Sequence, residues 1–303
     1  MRNIADSLAS PITLGTGDPN EGLPGSGYSG PRGIEAVLEF NNLYLNVRNW
    51  VDTYLVTQIG GLDDADVRDT REVNPGYHGE TQFPSYYGGR TIALTGKIYC
   101  KTIFKLRDMQ QALRQAFSPI DDEYPLIFRT NDANLDLQIY CKKSQSIQMT
   151  DEQRTANHFE RNFLVTLRAS NPRFVSVLRI PIAVTFPGAS FDAIAFTAVN
   201  NGNFPAQPEI NLTGPMNAGA RFINETNNNQ IALTAAIPSG ETWRLDTTNR
   251  RMYRVSDMAN RFQYLDVNSD WMEFNAGSNS VRFTASGLTA ASRINTYHRH
   301  TVM

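Results

Sequence analysis

Apolar residues alternate with polar ones along most of the N-terminal half of the chain, the period-two pattern of strands with one buried face. The pattern runs through Val37 to Phe40, Leu43 to Val47 and Tyr54 to Ile59, each bounded by Asn or Gly turns, and most cleanly through Arg90 to Cys100. One segment breaks the rhythm. Leu106, Met109, Leu113 and Phe117 recur at helical spacing, while Arg107, Gln110, Gln111 and Arg114 take the opposite face. Thr102 is placed to cap this helix and Pro119 to stop it. A Met and Phe stripe at this spacing predicts a packing face.

Alternation resumes at Leu135, Leu137, Ile139 and Cys141 and continues to Ile147 and Met149. It returns through Phe159, Phe163, Val165, Leu167 and Ala169, with a turn near Thr150 to Asn157. A strand from Leu135 to Met149 would extend about 50 Å at roughly 3.3 Å per residue, against a usual length of about 5 to 6 residues. One small sandwich cannot cover it, and an isolated two-stranded ribbon is marginal in water. The pattern predicts a projecting hairpin, 135–169, that packs on a neighbouring copy. Leu137, Ile139, Ile147, Met149, Phe159 and Phe163 are its interface residues.

Asn171-Pro172-Arg173-Phe174 marks a boundary, since a residue before proline is held extended. Three parts follow: an N-terminal arm 1–33, a β domain 34–173 and a second β domain 174–303. Beyond Ile180 no helical period recurs. Short alternating strands are expected at Phe191 to Val199, Glu209 to Gly214, Arg221 to Asn224, Gln230 to Ala235, Glu241 to Asp246, Arg251 to Val255, Val281 to Ala285 and Arg293 to Tyr297. Separated by Asn and Gly turns, they indicate a sandwich or jelly roll, so the fold class is mainly β with one helix.

Charge and composition narrow the function. A net charge of -2 over 303 residues, with no lysine beyond Ile180, argues against a nucleic-acid-binding surface. No apolar run approaches the roughly 20 residues of a membrane helix. Cys100 and Cys141 have no metal-like spacing and are expected to be buried, reduced thiols. Glycine and proline crowd residues 10–33, and Gly25 to Gly30 spells G-x-G-x-x-G without the strand and helix a dinucleotide site needs. The acidic stretch from Asp63 to Arg90 lacks calcium-loop spacing and is expected to be a solvated loop. His298 and His300 are expected on an exposed polar end, with no third ligand for a metal. No nucleophile elbow, P-loop or zinc motif occurs, so neither an enzyme nor a cofactor is expected.

Ala206 to Pro215, Asn227 to Leu233, and the step Gly240-Glu241 through Leu245-Asp246 to Arg250 resemble the C-terminal jelly roll of distal tail proteins from siphovirus-type bacteriophages. The resemblance extends more loosely to the N-terminal sandwich, helix and hairpin. It implies a galectin-like C-terminal domain and a structural virion protein at the distal end of the tail, assembled in the host cytoplasm. It further implies a hexameric ring, linked by a belt hairpin, that joins the tail tube protein to the tail tip hub protein. A tape measure protein and fibre or receptor-binding components are the other implied partners.

The alternative is a carbohydrate-binding adhesin, because such jelly rolls can hold sugars. Tyr253, Tyr264 and Trp271 are the candidate sugar or partner contacts, whereas Trp243, alternating with Leu245, reads as core.

Overall fold

The computed structural model describes residues 37–47, 52–63, 65–74, 76–130, 132–151, 159–185 and 194–303. The Gly-rich segment 10–33 and the hairpin turn at 152–158 lie outside the described residues.

Strands β1 (Val37–Phe40), β2 (Leu43–Leu45) and β3 (Thr53–Gly60) form where the alternation starts. The β1–β2 turn places Asn41 and Asn42 at φ 46° and 63°, a left-handed geometry Asn tolerates well. Four short strands follow: β4 (Val67–Arg68), β5 (Arg71–Val73), β6 (Glu80–Gln82) and β7 (Tyr86–Tyr87). The long β8 (Arg90–Cys100) then leads into helix α1 (Ile103–Ala116). β9 (Tyr124–Arg129), β10 (Leu137–Lys143), β11 (Gln148–Asp151), β12 (Phe159–Ala169) and β13 (Phe174–Ser176) complete this half.

The main sheet runs β2-β1-β9-β10-β12-β8-β3 and folds over a single core. β10 makes the corner: Leu137 to Cys141 pair with β9, and Lys142 and Lys143 with β12. Leu38, Phe40, Ile92, Leu94, Leu126, Phe128, Val165 and Leu167 fill the interior. Helix α1 lies on this core through Leu106, Met109 and Leu113, capped by Thr102 Oγ1, which accepts from the Lys105 N–H at 3.2 Å. Phe117, just past its end, stacks on Phe40 with centroids 4.7 Å apart. Gln110, expected on the polar face, is buried.

The 135–169 hairpin differs from its sequence reading. The outgoing strand breaks between Lys143 and Gln148, and the returning β12 pairs with β8 along its whole length, from Phe159↔Cys100 to Ala169↔Arg90. β12 is thus an interior strand of the sheet, with backbone partners on both sides rather than one.

Gly96 makes that packing possible. A Cβ there would stand 2.4 Å from the Leu55 carbonyl oxygen and 2.5 Å from Cζ of Phe163. Gly96→Ala should therefore cost about 1–3 kcal/mol as the Phe163 ring and β3 are pushed apart. Chemical denaturation would read this loss directly, and an unchanged midpoint would refute the packing.

The C-terminal half is a two-sheet sandwich. One sheet orders β14 (Ile180–Thr185), β22 (Arg293–His298), β16 (Glu209–Thr213), β19 (Thr242–Asp246) and β20 (Arg251–Arg254). The other orders β15 (Ile194–Asn200), β21 (Gly277–Thr284), β17 (Arg221–Asn224) and β18 (Asn229–Ala232). Ile210, Leu212, Trp243, Leu245, Phe222, Phe283 and Phe274 are buried between them. Three asparagines are fully buried as well. Asn224 donates to the Glu273 carbonyl at 2.8 Å, Asn279 to that of Asn275 at 2.8 Å and Asn200 to that of Phe204 at 2.7 Å, so each amide staples a loop that has no ladder partner.

The chain ends in β23 (Thr301–Val302), which leaves the C-terminal sandwich and pairs with β13. Phe174 and Val302 are both buried in the first core. His298 and His300, expected on an exposed end, are buried because this strand runs along the seam between the two cores.

Candidate assembly surfaces

Among the described residues, no three His, Cys, Asp or Glu side chains gather as metal ligands. Cys100 and Cys141 are free and buried, and burial pushes the Cys141 thiol up to about 12. The chain instead presents surfaces.

The first is the excursion between β3 and β8. The sequence reading takes it as a solvated loop, but the chain folds it into a hairpin arm, β4 pairing with β7 and β5 with β6. At the tip, the Asn74 N–H donates to the Gly79 carbonyl and the Thr81 hydroxyl to Asn74 Oδ1. Every strand residue of the arm is solvent-exposed, with only Tyr87 at its root also resting on a neighbouring ring. Val67, Val73 and Tyr86 are among them, and Tyr77 and Phe83 on the connecting segments are exposed too, Tyr77 at 84%. The ion pairs of Arg71 with Asp69 at 2.8 Å and Glu80 at 3.9 Å are exposed and so contribute little. Apolar side chains on a two-stranded ribbon with no core of its own make a surface that needs a partner. The missed signal was short: Val67 and Val73 before, and Tyr77, Tyr86 and Tyr87 after, Asn74-Pro75-Gly76, a turn sequence.

The root of the arm, by contrast, is packed. Tyr87 meets Phe204 of the C-terminal sandwich edge-on at 5.9 Å, and Arg173 lies over that Phe204 ring at 4.8 Å while pairing with Glu273 at 3.3 Å. Buried Arg90 donates from Nε to the Pro172 carbonyl at 3.1 Å and from Nη1 to those of Gly61, at 3.0 Å, and Asp63. Its guanidinium also covers Phe174 at 4.8 Å.

The residues proposed from sequence for the 135–169 interface divide into two groups. Leu137, Ile139 and Phe163 are buried in the chain's own core, so they have no surface to give a neighbour. Ile147, Met149 and Phe159 are half-buried at the edge of that core.

Another surface lies on the loop after β20. Val255, Met258, Phe262 and Val267 are exposed, Val267 at 94%. The loop is held in place, because the Asp266 N–H donates to the Ala232 carbonyl at 2.9 Å and the Asp270 N–H to that of Gln230 at 2.7 Å. Arg254 bridges Glu241, at 2.9 Å, and Asp257 at its start. Of the candidate contacts, Tyr264 stacks on Trp243 at 5.4 Å, Trp271 on Phe262 at 6.1 Å, and Tyr253 lies under Arg244 at 6.0 Å. Trp243 itself is buried, with its indole N–H on Glu241 at 3.0 Å.

This arrangement of two β units, one helix and an arm has relatives. Residues 201–298 match the family described as siphovirus-type tail component, C-terminal domain, and residues 53–165 match the phage tail protein RIFT-related domain. The chain belongs to the siphovirus-type distal tail proteins. The crystal structure of the SPP1 Dit (gp 19.1) protein, described as a paradigm of hub adsorption apparatus in Gram-positive infecting phages, shares the fold with a TM-score of 0.61. Identity is 12%, over 86% of this chain and 97% of that chain. The phage P2 baseplate in its activated conformation, with Ca and with Sr, matches with a TM-score of 0.44 at 8% identity, over 81% of this chain and 90% of that chain. No curated protein sequence matches. In this distal tail protein the arm lies inside the RIFT-related match and the exposed loop inside the tail component domain.

Proposed function

We propose that copies of this chain close into a ring, a hexamer by family resemblance, at the distal end of a phage tail. The ring acts there as a non-enzymatic hub between the tail tube protein above and the tail tip hub protein below. One observation carries the ring: the arm β4–β7, solvent-exposed and studded with Tyr and Val, needs a neighbouring surface of a kind each copy supplies to the next. The linking role read from the sequence for 135–169 therefore passes mainly to this arm, with Ile147, Met149 and Phe159 as a second edge. Net charge of -2 and the absence of a basic cluster agree with a protein-to-protein role.

The C-terminal sandwich faces outward in this reading, and its pinned loop docks fibre or receptor-binding components. Met258 and Val267 are its most exposed large apolar side chains and neither carries a ring, which suits a protein partner better than a sugar. Tyr264 and Trp271 already give one ring face each to Trp243 and Phe262, which weakens the carbohydrate reading. Particles carrying Phe262→Ser with Val267→Asp should keep this protein but hold at least about tenfold less of the docked component. Quantitative mass spectrometry of purified particles tests this: unchanged stoichiometry rejects the docking loop. Glycan binding by the intact chain, abolished by the same pair of substitutions, would transfer the loop to the carbohydrate reading.

A further inference from the structure

The segment from His298 to Met303 runs along the seam between the two cores and bonds to both. On the N-terminal side Phe174 and Val175 pair with Val302 and Thr301, and Ser176 exchanges bonds with His300: Ser176 N–H to the His300 carbonyl at 2.8 Å, His300 N–H to Ser176 Oγ at 3.0 Å. Arg299 donates to the carbonyls of Ser176, at 2.6 Å, and Val177. On the C-terminal side the Thr301 N–H reaches Asn200 Oδ1 at 3.2 Å and the Met303 N–H reaches Asn203 Oδ1 at 3.0 Å. Gly202 lets the strand pass, since a Cβ there would lie 1.8 Å from the Thr301 carbonyl oxygen.

Two imidazoles sit inside this seam. His298 Nε2 donates to the Val199 carbonyl at 2.9 Å, which leaves Nδ1 as the bare nitrogen, buried and without a hydrogen-bond partner. His300 Nδ1 accepts from the Asn201 N–H at 3.0 Å, so it too carries no proton. The rings stand 5.8 Å apart, and His298 is edge-on to Phe274 at 5.4 Å. Protonating His298 would place a charge beside a phenyl ring and a second imidazole with no acceptor for the new N–H. Protonating His300 at Nδ1 would break its bond to Asn201.

The charged groups on the elements packed around the pair are already committed. From β16, Glu209 binds Arg179 at 2.8 Å and Arg244 at 3.4 Å; from the segment before Phe274, Glu273 binds Arg173. Arg299, on the same strand, is held by carbonyls, and Tyr297 lies under Arg179 at 5.0 Å. β13 offers Ser176 and β15 offers Val199 and Asn200, none of them ionisable, and Tyr140 of β10 stands near Arg299.

We propose that His298 to Met303 is a proton-released latch: protonation of the buried His298 and His300 pair frees β23 from β13 and unlocks the C-terminal sandwich from the N-terminal unit. The proposal stands apart from ring formation, because the latch lies within one chain. Burial lowers the titration of both groups, and for His300 the neighbouring His298 lowers it further. The opened segment takes up protons near the ordinary histidine value of about 6.5, while the closed one takes them up only at lower pH. The latch is therefore closed at neutral and higher pH, and its stability falls as pH drops below about 6.5. In that window the opening equilibrium rises by up to about tenfold per histidine for each pH unit.

Amide hydrogen exchange of the full chain, followed by mass spectrometry from pH 8 to pH 5, reads this against an internal reference. Protection at residues 174–176 and 300–303 should fall on acidification relative to β8, and the double variant His298→Phe, His300→Asn should lose that dependence. Protection that keeps pace with β8 down to pH 5, or that falls equally in the double variant, overturns the proposal. Should the variant fail to fold, exchange at the histidine C2 positions of the unaltered protein decides. Apparent titration of both groups below the ordinary histidine value of about 6.5 supports the latch, and titration at or above it overturns it.

Discussion

Replacing Asp69 to Ser85 by Asn-Gly should turn the proposed ring into a folded monomer. Arg68 and Tyr86 are paired neighbours across the arm, so a two-residue turn can close β4 onto β7 and leave the root at Tyr87 and Arg90 untouched. The removed residues contribute nothing to either buried core, so melting of the subunit itself should barely move. Ring interfaces of this kind bury on the order of 2,000 Å² or more, and loss of the arm should abolish assembly at micromolar concentration rather than trim it. Native mass spectrometry distinguishes the outcomes: a shortened protein that still assembles, or an unaltered one that is monomeric, contradicts the role given to the arm.

Arg90→Ala should be the most damaging single substitution at the junction, at about 3–5 kcal/mol. The guanidinium satisfies the carbonyls of Pro172, Gly61 and Asp63 together, which tie the boundary segment and the arm root to the start of β8. It also covers Phe174 and reaches the sulfur of Met303 at 3.9 Å, so the chain's end loosens with it. Lysine cannot restore a planar fork of donors, and Arg90→Lys should recover only a minor part. The melting temperature of Arg90→Ala should fall by roughly 5–10 °C. A shift of less than about 2 °C would mean that these carbonyls find other donors at no cost.

Where a period of two or a helical period runs over four residues or more, the sequence predicted the elements well: β8, helix α1 and the sandwich strands from β16 to β22 form within a few residues of their expected bounds. Three features were not legible, for different reasons. The arm strands are two or three residues long, too short for any period, and their apolar side chains face solvent, so no buried stripe marks them. Alternation in 135–169 shows which face is buried but not which strand pairs along its edge, and β8 is that partner for β12. The burial of His298 and His300 depends on a strand pair joining Val302 to Phe174, and local pattern carries no information on a contact that distant in sequence.

The latch also bears on how the two units can be studied. Deleting the C-terminal sandwich would remove Val302 from the N-terminal core and expose Phe174, so loss of function in such a truncation would report unfolding as much as undocking. Point substitutions on the exposed loop avoid that ambiguity.

We propose that this chain is the hub at the end of the tail. Electron microscopy of particles labelled with an antibody against the exposed loop around Val267 tests it most directly. The account predicts label confined to the distal tip of every tail, at the junction of tube and tip; label along the shaft, on the capsid, or only on free protein would contradict it.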